Sequence, residues 1–348
     1  MGLESRELNR IITNISSDID FSGVVHVKQG EEVLVHRAFG CADRSEERRN
    51  DIHTRFGIAS GCKLFTAIGI CMLVEQGKID FHTPLADCLV IAFPHVDPQV
   101  TIHQLLTHTS GMPDYFDEEK MSDYEELWKD YPVYRIESLH DFLPLFQEEQ
   151  MKFPPGERFR YNNAGYIVLG LILEQQTGRT FTEYIETEIF KPCGMMNSGY
   201  FSMDRLPRNT ALGYIDEEEA GTWRTNIYAL PKQGGSDGGA YTTAADMIKL
   251  WEALFRYELL EEETTNKLLH PHRAVNEEIH YGYGIWMNKK DGDIYKYHVM
   301  GYDPGVSFRA SVYPGLDVKV VVPSNKESGP LEMTKGLEEI LFAEEIRK

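Results

Sequence analysis

The chain has no CxxC pair, no HExxH and no run approaching the roughly 18 apolar residues of a membrane span, and it sets only 35 Lys and Arg against 55 Asp and Glu. Each shortage excludes something. The formal net charge of -20 repels phosphate backbones and anionic lipid, so nucleic-acid binding is not expected. The cysteines Cys41, Cys62, Cys71, Cys88 and Cys193 are odd in number and scattered, which reads as reduced structural thiols. His103 and His108 are five apart and His270 and His272 read as loop residues, so no catalytic metal is expected. The GxSxG elbow is missing, because the glycine preceding Ser60 stands at Gly57. The run 234–239 lacks the Lys-Ser/Thr that completes a phosphate loop. Residues 1–10 contain no apolar segment resembling a signal peptide, so a cytoplasmic location is expected.

What is present is enough for a sizeable core: 42% of the residues are hydrophobic and 11% aromatic. Leu8, Ile11, Ile12, Ile15 and Ile19 mark an amphipathic helix over 5–19. Strands are expected at 21–28 and 32–38 around a glycine turn, and again at 281–287, 294–299, 305–313 and 318–323, before a last helix over 331–346. The acidic stretch 114–130 reads as a solvated helix or a lid. Strands at both ends with helices between them imply an α+β sandwich, an antiparallel sheet built from both termini and flanked by helices. A mainly helical insertion, about 80–280, falls inside a single domain over 1–348.

Three constellations carry chemistry. Ser60 and Lys63 open an apolar run through Leu73 to Gly77, which describes a buried helix with both side chains on one face. A serine hydroxyl needs a neighbour to take its proton, and a partly desolvated lysine can do so. By itself the same SxxK spacing equally describes an N-cap serine followed by a snorkelling lysine. In Tyr161-Asn162-Asn163, the phenol of Tyr161 can exchange a proton with a serine and the amide of Asn163 can bind a substrate carbonyl. In the stretch 298–308, a strand edge meets a Gly-Pro loop, and backbone N–H groups there can form an oxyanion hole with that of Ser60.

Ser60-Gly61-Cys62-Lys63, Tyr161-Asn162-Asn163, Thr107-His108-Thr109-Ser110-Gly111-Met112-Pro113, Pro155-Gly156-Glu157 and Gly234-Gly235-Ser236-Asp237-Gly238-Gly239 together resemble the serine β-lactamase and penicillin-binding-protein superfamily, closest to its class C-like branch of esterases and D-Ala peptidases. The resemblance implies that Ser60 is acylated, that Lys63 and Tyr161 share the proton transfers, and that Asn163 contacts substrate, with His298, Gly301 and Tyr302 as further substrate-binding candidates. It implies a small-molecule or peptide substrate, hydrolysis of an amide or ester, and no cofactor. The third motif departs from the family pattern. If Gly301 is its glycine, Val299 occupies the basic position and His298 is one residue too early. Either a bulge restores the imidazole or the site lacks the cation that holds a substrate carboxylate. A penicillin-binding sensor of the same fold, acylated without efficient turnover, is the alternative.

Overall fold

Eight strands form one sheet in which every neighbouring pair is antiparallel. The structure, a computed structural model, describes residues 5–118, 120–121, 123–217 and 221–343. Helix α1 (Ser5–Asp18) leads into β1 (Gly23–Gln29) and β2 (Glu32–Phe39). The central chain carries helices α2 (Lys63–Glu75), α3 (Asn163–Thr177) and α4 (Ala244–Phe255), with short helical turns and a small hairpin, Tyr214–Glu217 with Thr222–Thr225. The strands resume as β3 (Arg273–Ala274), β4 (Ile279–Tyr281), β5 (Trp286–Lys290), β6 (Asp293–Asp303), β7 (Val306–Tyr313) and β8 (Val318–Ser324), and α5 (Pro330–Leu341) follows. The sheet order is β2-β1-β8-β7-β6-β5-β4-β3, so the first two strands dock on the last one. This is the α+β arrangement read from the sequence.

The β8 residues are buried throughout, because the sheet is covered on both faces. Val320 and Val322 pack with Leu8, Ile12, Met333 and Leu337 under α1 and α5, while Val321 faces the larger core shared with α2 and α3. That larger core positions the site, since α2 and α3 lie within it.

Several expectations need correction. The helix read from Ser60 begins at Lys63, preceded by a tight turn over Ala59–Cys62. The strand read over 281–287 breaks into β4 and β5 because Gly284 adopts φ 70° and packs against the Lys63 carbonyl, where a Cβ would fall 2.7 Å from the oxygen. The stretch 114–130 is not a solvated helix: Tyr115, Asp117 and Trp128 are buried, and Trp128 Nε1 donates to the Ala229 carbonyl at 2.9 Å. Residues 119 and 122 of that stretch, and 344–346 of the expected last helix, lie outside the described residues. Among the described residues no helix is long and apolar enough to cross a membrane.

Candidate active site

The approach to Ser60 is held by backbone. Phe56–Gly57 pairs with Tyr241–Thr242, and the Ile58 N–H donates to the Ala240 carbonyl at 3.0 Å. The chain then turns through Ala59 at φ 46°, a left-handed conformation uncommon for a residue with a side chain. Ser60 emerges into a cavity of about 510 Å³. Lys63, the first residue of α2, is 2% exposed. Its Nζ lies 2.9 Å from Ser60 Oγ, 2.8 Å from Asn163 Oδ1 and 2.7 Å from the Asp237 carbonyl. An ammonium has three donors, and these three oxygens account for all of them.

Tyr161 completes the group. Its ring lies 5.0 Å from Lys63 Nζ. Burial pushes the phenol well above its ordinary range, so it is neutral at rest, while Ser60 favours loss of its proton. The ring is held by His108, 4.4 Å away, and by Trp286 in a stacked arrangement at 6.1 Å. His108 is buried, and desolvation holds its imidazole well below the usual range. Its Nδ1 accepts from the Asn162 N–H at 3.1 Å, which leaves Nε2–H to donate to Tyr281 Oη at 3.0 Å. A neutral imidazole thus ties the Tyr161-Asn162-Asn163 loop to β4.

Asn163 is set by the start of α3. Asn162 is the N-cap, its Oδ1 accepting from the Gly165 N–H and its Nδ2 donating to the Met112 carbonyl at 2.9 Å. The Asp114 carboxylate accepts from the Asn163 and Ala164 N–H groups at 2.8 and 3.0 Å. Burial pushes its carboxyl up to about 7.

On β6, Gly301 lies hard against the nucleophile: a Cβ there would fall 2.1 Å from the Ile58 carbonyl and 2.8 Å from the Ser60 nitrogen. The β5 ladder stops at Trp286↔His298, so the β6 edge beyond it is open beside Ser60. Tyr302 lines the cavity, with its hydroxyl accepting from Arg309 Nε at 3.1 Å.

His298 does not join them, and its assignment as a substrate-binding residue is corrected. The β6–β7 register runs without a bulge from Tyr297↔Val312 to Asp303↔Val306. Val299 therefore faces the larger core, where it is buried, and His298 faces the opposite side with Lys296 and Arg309. Desolvation, and then those two cations, hold its imidazole well below the ordinary range.

Two further residues at the site had been given no role. Asp237 accepts from Tyr115 Oη while its carbonyl holds Lys63, and burial raises its carboxyl. Asp303 lines the cavity beyond Gly301, and burial pushes it up to about 7. A signal was available: each is an acid set among glycine, proline or aromatic neighbours, where a solvated carboxylate has little place. Among the described residues no group of three or more His, Cys, Asp or Glu is arranged to hold a metal ion.

Comparison with known proteins finds relatives over nearly the whole chain. A family model described as Beta-lactamase matches residues 8–344. Penicillin-binding protein 4* of Bacillus subtilis (strain 168) is 28% identical over 358 residues, covering 97% of this chain and 76% of that protein. A crystal structure of a penicillin binding protein from Bacillus halodurans superposes with a TM-score of 0.91 at 56% identity, over 94% of this chain and 99% of that one. An octameric penicillin-binding protein homologue from Pyrococcus abyssi gives a TM-score of 0.84 over 97% of this chain and 77% of that one; at 24% identity it shows the shared fold.

Proposed function

Because this chain belongs to the β-lactamase family, we propose that it is a serine hydrolase cleaving an amide or ester through an acyl-enzyme on Ser60. The observation that carries the reading is the set of bonds at Lys63 Nζ. Asn163 Oδ1 and the Asp237 carbonyl accept two N–H groups, which leaves one position facing Ser60 Oγ. In the neutral amine that position is a lone pair, and it takes the Ser60 proton as Oγ adds to the substrate carbonyl.

The oxyanion forms beside the Ser60 N–H and the open β6 edge at Gly301. As the tetrahedral adduct collapses, the Tyr161 phenol gives its proton to the departing nitrogen or oxygen and recovers one from the Lys63 ammonium. Water then adds to the acyl-Ser60 ester, its proton passing to the Lys63–Tyr161 pair. That proton returns to Ser60 Oγ as the acid leaves. Val299 in the basic position speaks against a substrate held by its carboxylate, and so against efficient β-lactam turnover.

The test is intact-protein mass spectrometry and turnover with a short-chain p-nitrophenyl ester and a fluorescent penicillin, run on the parent and on Ser60→Ala. The expected outcome is ester turnover that drops by about 10³-fold or more in Ser60→Ala. Parent-like turnover in that variant sinks the reading. A penicillin adduct on Ser60 that persists for hours, with no ester turnover, favours the binding-protein alternative.

A further inference from the structure

Asp303 is the last residue of β6, two beyond Gly301 and so on the same face of the strand. Two residues of strand span about 7 Å, which sets its carboxylate within reach of a substituent next to the carbonyl that Ser60 attacks. It lines the same cavity as Ser60, and among the described residues its carboxylate makes no hydrogen bond or ion pair.

The cations that would neutralise it are committed elsewhere. Lys63 spends its donors on Ser60, Asn163 and Asp237. Arg224, the one Lys or Arg among the described residues that line this cavity, is gripped by both oxygens of Glu125 at 2.7 and 2.6 Å and lies 3.3 Å from Glu217. Val299 is buried in the core where a basic residue would face substrate. Burial first, then Asp237 and Glu118, hold the Asp303 carboxyl up at about 7 against the pull of Lys63. Among the described residues lining the cavity a substrate carboxylate meets no free cation, whereas a substrate ammonium meets a carboxylate that lacks a partner. Phe116, Phe142 and Leu230 supply apolar wall to the same cavity.

We propose that Asp303 selects substrates carrying a protonated amine close to the scissile carbonyl, either in the acyl part or in the leaving group. The proposal rests on the Ser60 acyl-enzyme reading and adds the charge of the substrate to it.

The experiment compares kcat/KM within two matched pairs. One is an aminoacyl p-nitroanilide against its N-acetyl form. The other is the thioacetate of 2-(dimethylamino)ethanethiol against that of 3-methylbutanethiol. Each is measured for the parent, Asp303→Asn, Asp303→Glu and Ser60→Ala, with covalent labelling of Ser60 by a fluorophosphonate reporting an intact site. The expected result is a preference of about 10–100-fold for the amine in at least one pair, the size of a charge-assisted hydrogen bond. Asp303→Asn brings that ratio close to one, and Asp303→Glu retains most of it. The pair that shows the preference identifies which side of the bond carries the amine. No preference in either pair, or a ratio unchanged by Asp303→Asn, overturns the proposal. Turnover that survives Ser60→Ala overturns the acyl-enzyme reading instead, so the two failures are distinguishable.

Discussion

At Lys63 a single nitrogen joins the nucleophile to two segments far away in sequence, and the cost of removing it follows from what it leaves behind. Lys63→Met keeps most of the volume but strands Asn163 Oδ1 and the Asp237 carbonyl without their donor. Ester turnover is expected to fall by about 10²–10⁴-fold and stability by about 1–3 kcal/mol. A variant within tenfold of the parent in a turnover assay would place the proton transfer on Tyr161 alone. Gly301→Ala probes a steric constraint. Its new methyl would fall 2.1 Å from the Ile58 carbonyl, so the strand and the Ser60 turn must separate. Thermal unfolding should show a loss of about 1–3 kcal/mol, with turnover lowered as the oxyanion donors move apart. A stable, fully active variant would show that the β6 edge takes no part.

At the scale of the element, the start of α3 does more than begin a helix. Asn162 caps it and anchors the Met112 carbonyl, His108 fixes the Asn162 N–H, and Asp114 holds the next two N–H groups. Asn163 is therefore presented to Lys63 by a turn that the facing stretch 108–114 anchors at three residues. Asn162→Ala should cost about 1–2 kcal/mol in urea unfolding; an unchanged midpoint would mean that other groups satisfy the Gly165 N–H. β6 is the other decisive element. Its alternation sends Gly301 and Asp303 to the site and His298 to the far face, and the unbroken β6–β7 register leaves no bulge to reverse that.

Across the whole molecule, buried histidines weaken folding as the pH falls. His26 stacks on His36 with ring centroids 3.9 Å apart, and among the described residues both of its nitrogens lack hydrogen-bond partners. Burial, followed by His36 and Lys28, lowers its pKa to about 3. Burial likewise lowers His272 to about 4. The unfolded chain takes up these protons near 6.5 while the folded one refuses them, so their stabilisation is present at neutral pH and is lost as pH falls from 6.5. Asp114 and Asp303 act in the opposite sense. Held up at about 7 against 3.8 unfolded, they contribute most below 4 and lose that contribution as pH rises through 7. His26→Leu should therefore gain about 2 kcal/mol on the parent between pH 8 and pH 5. Melting curves at the two pH values check it, and an equal difference at both would show that His26 is not protonated on unfolding. The Ser60–Lys63 spacing, the Tyr161-Asn162-Asn163 loop and the terminal hairpin were legible in the sequence, because each is written in residues a few positions apart, and the strand patterns at both termini, local in the same way, implied the sheet that joins them. Only the tertiary structure decided that Lys63 meets Asn163 and Asp237, 100 and 174 positions away. The same holds for the face taken by His298 and for the convergence of Asp237 and Asp303 on one cavity. Those outcomes depend on register and on long-range packing, which no local pattern of residue types encodes.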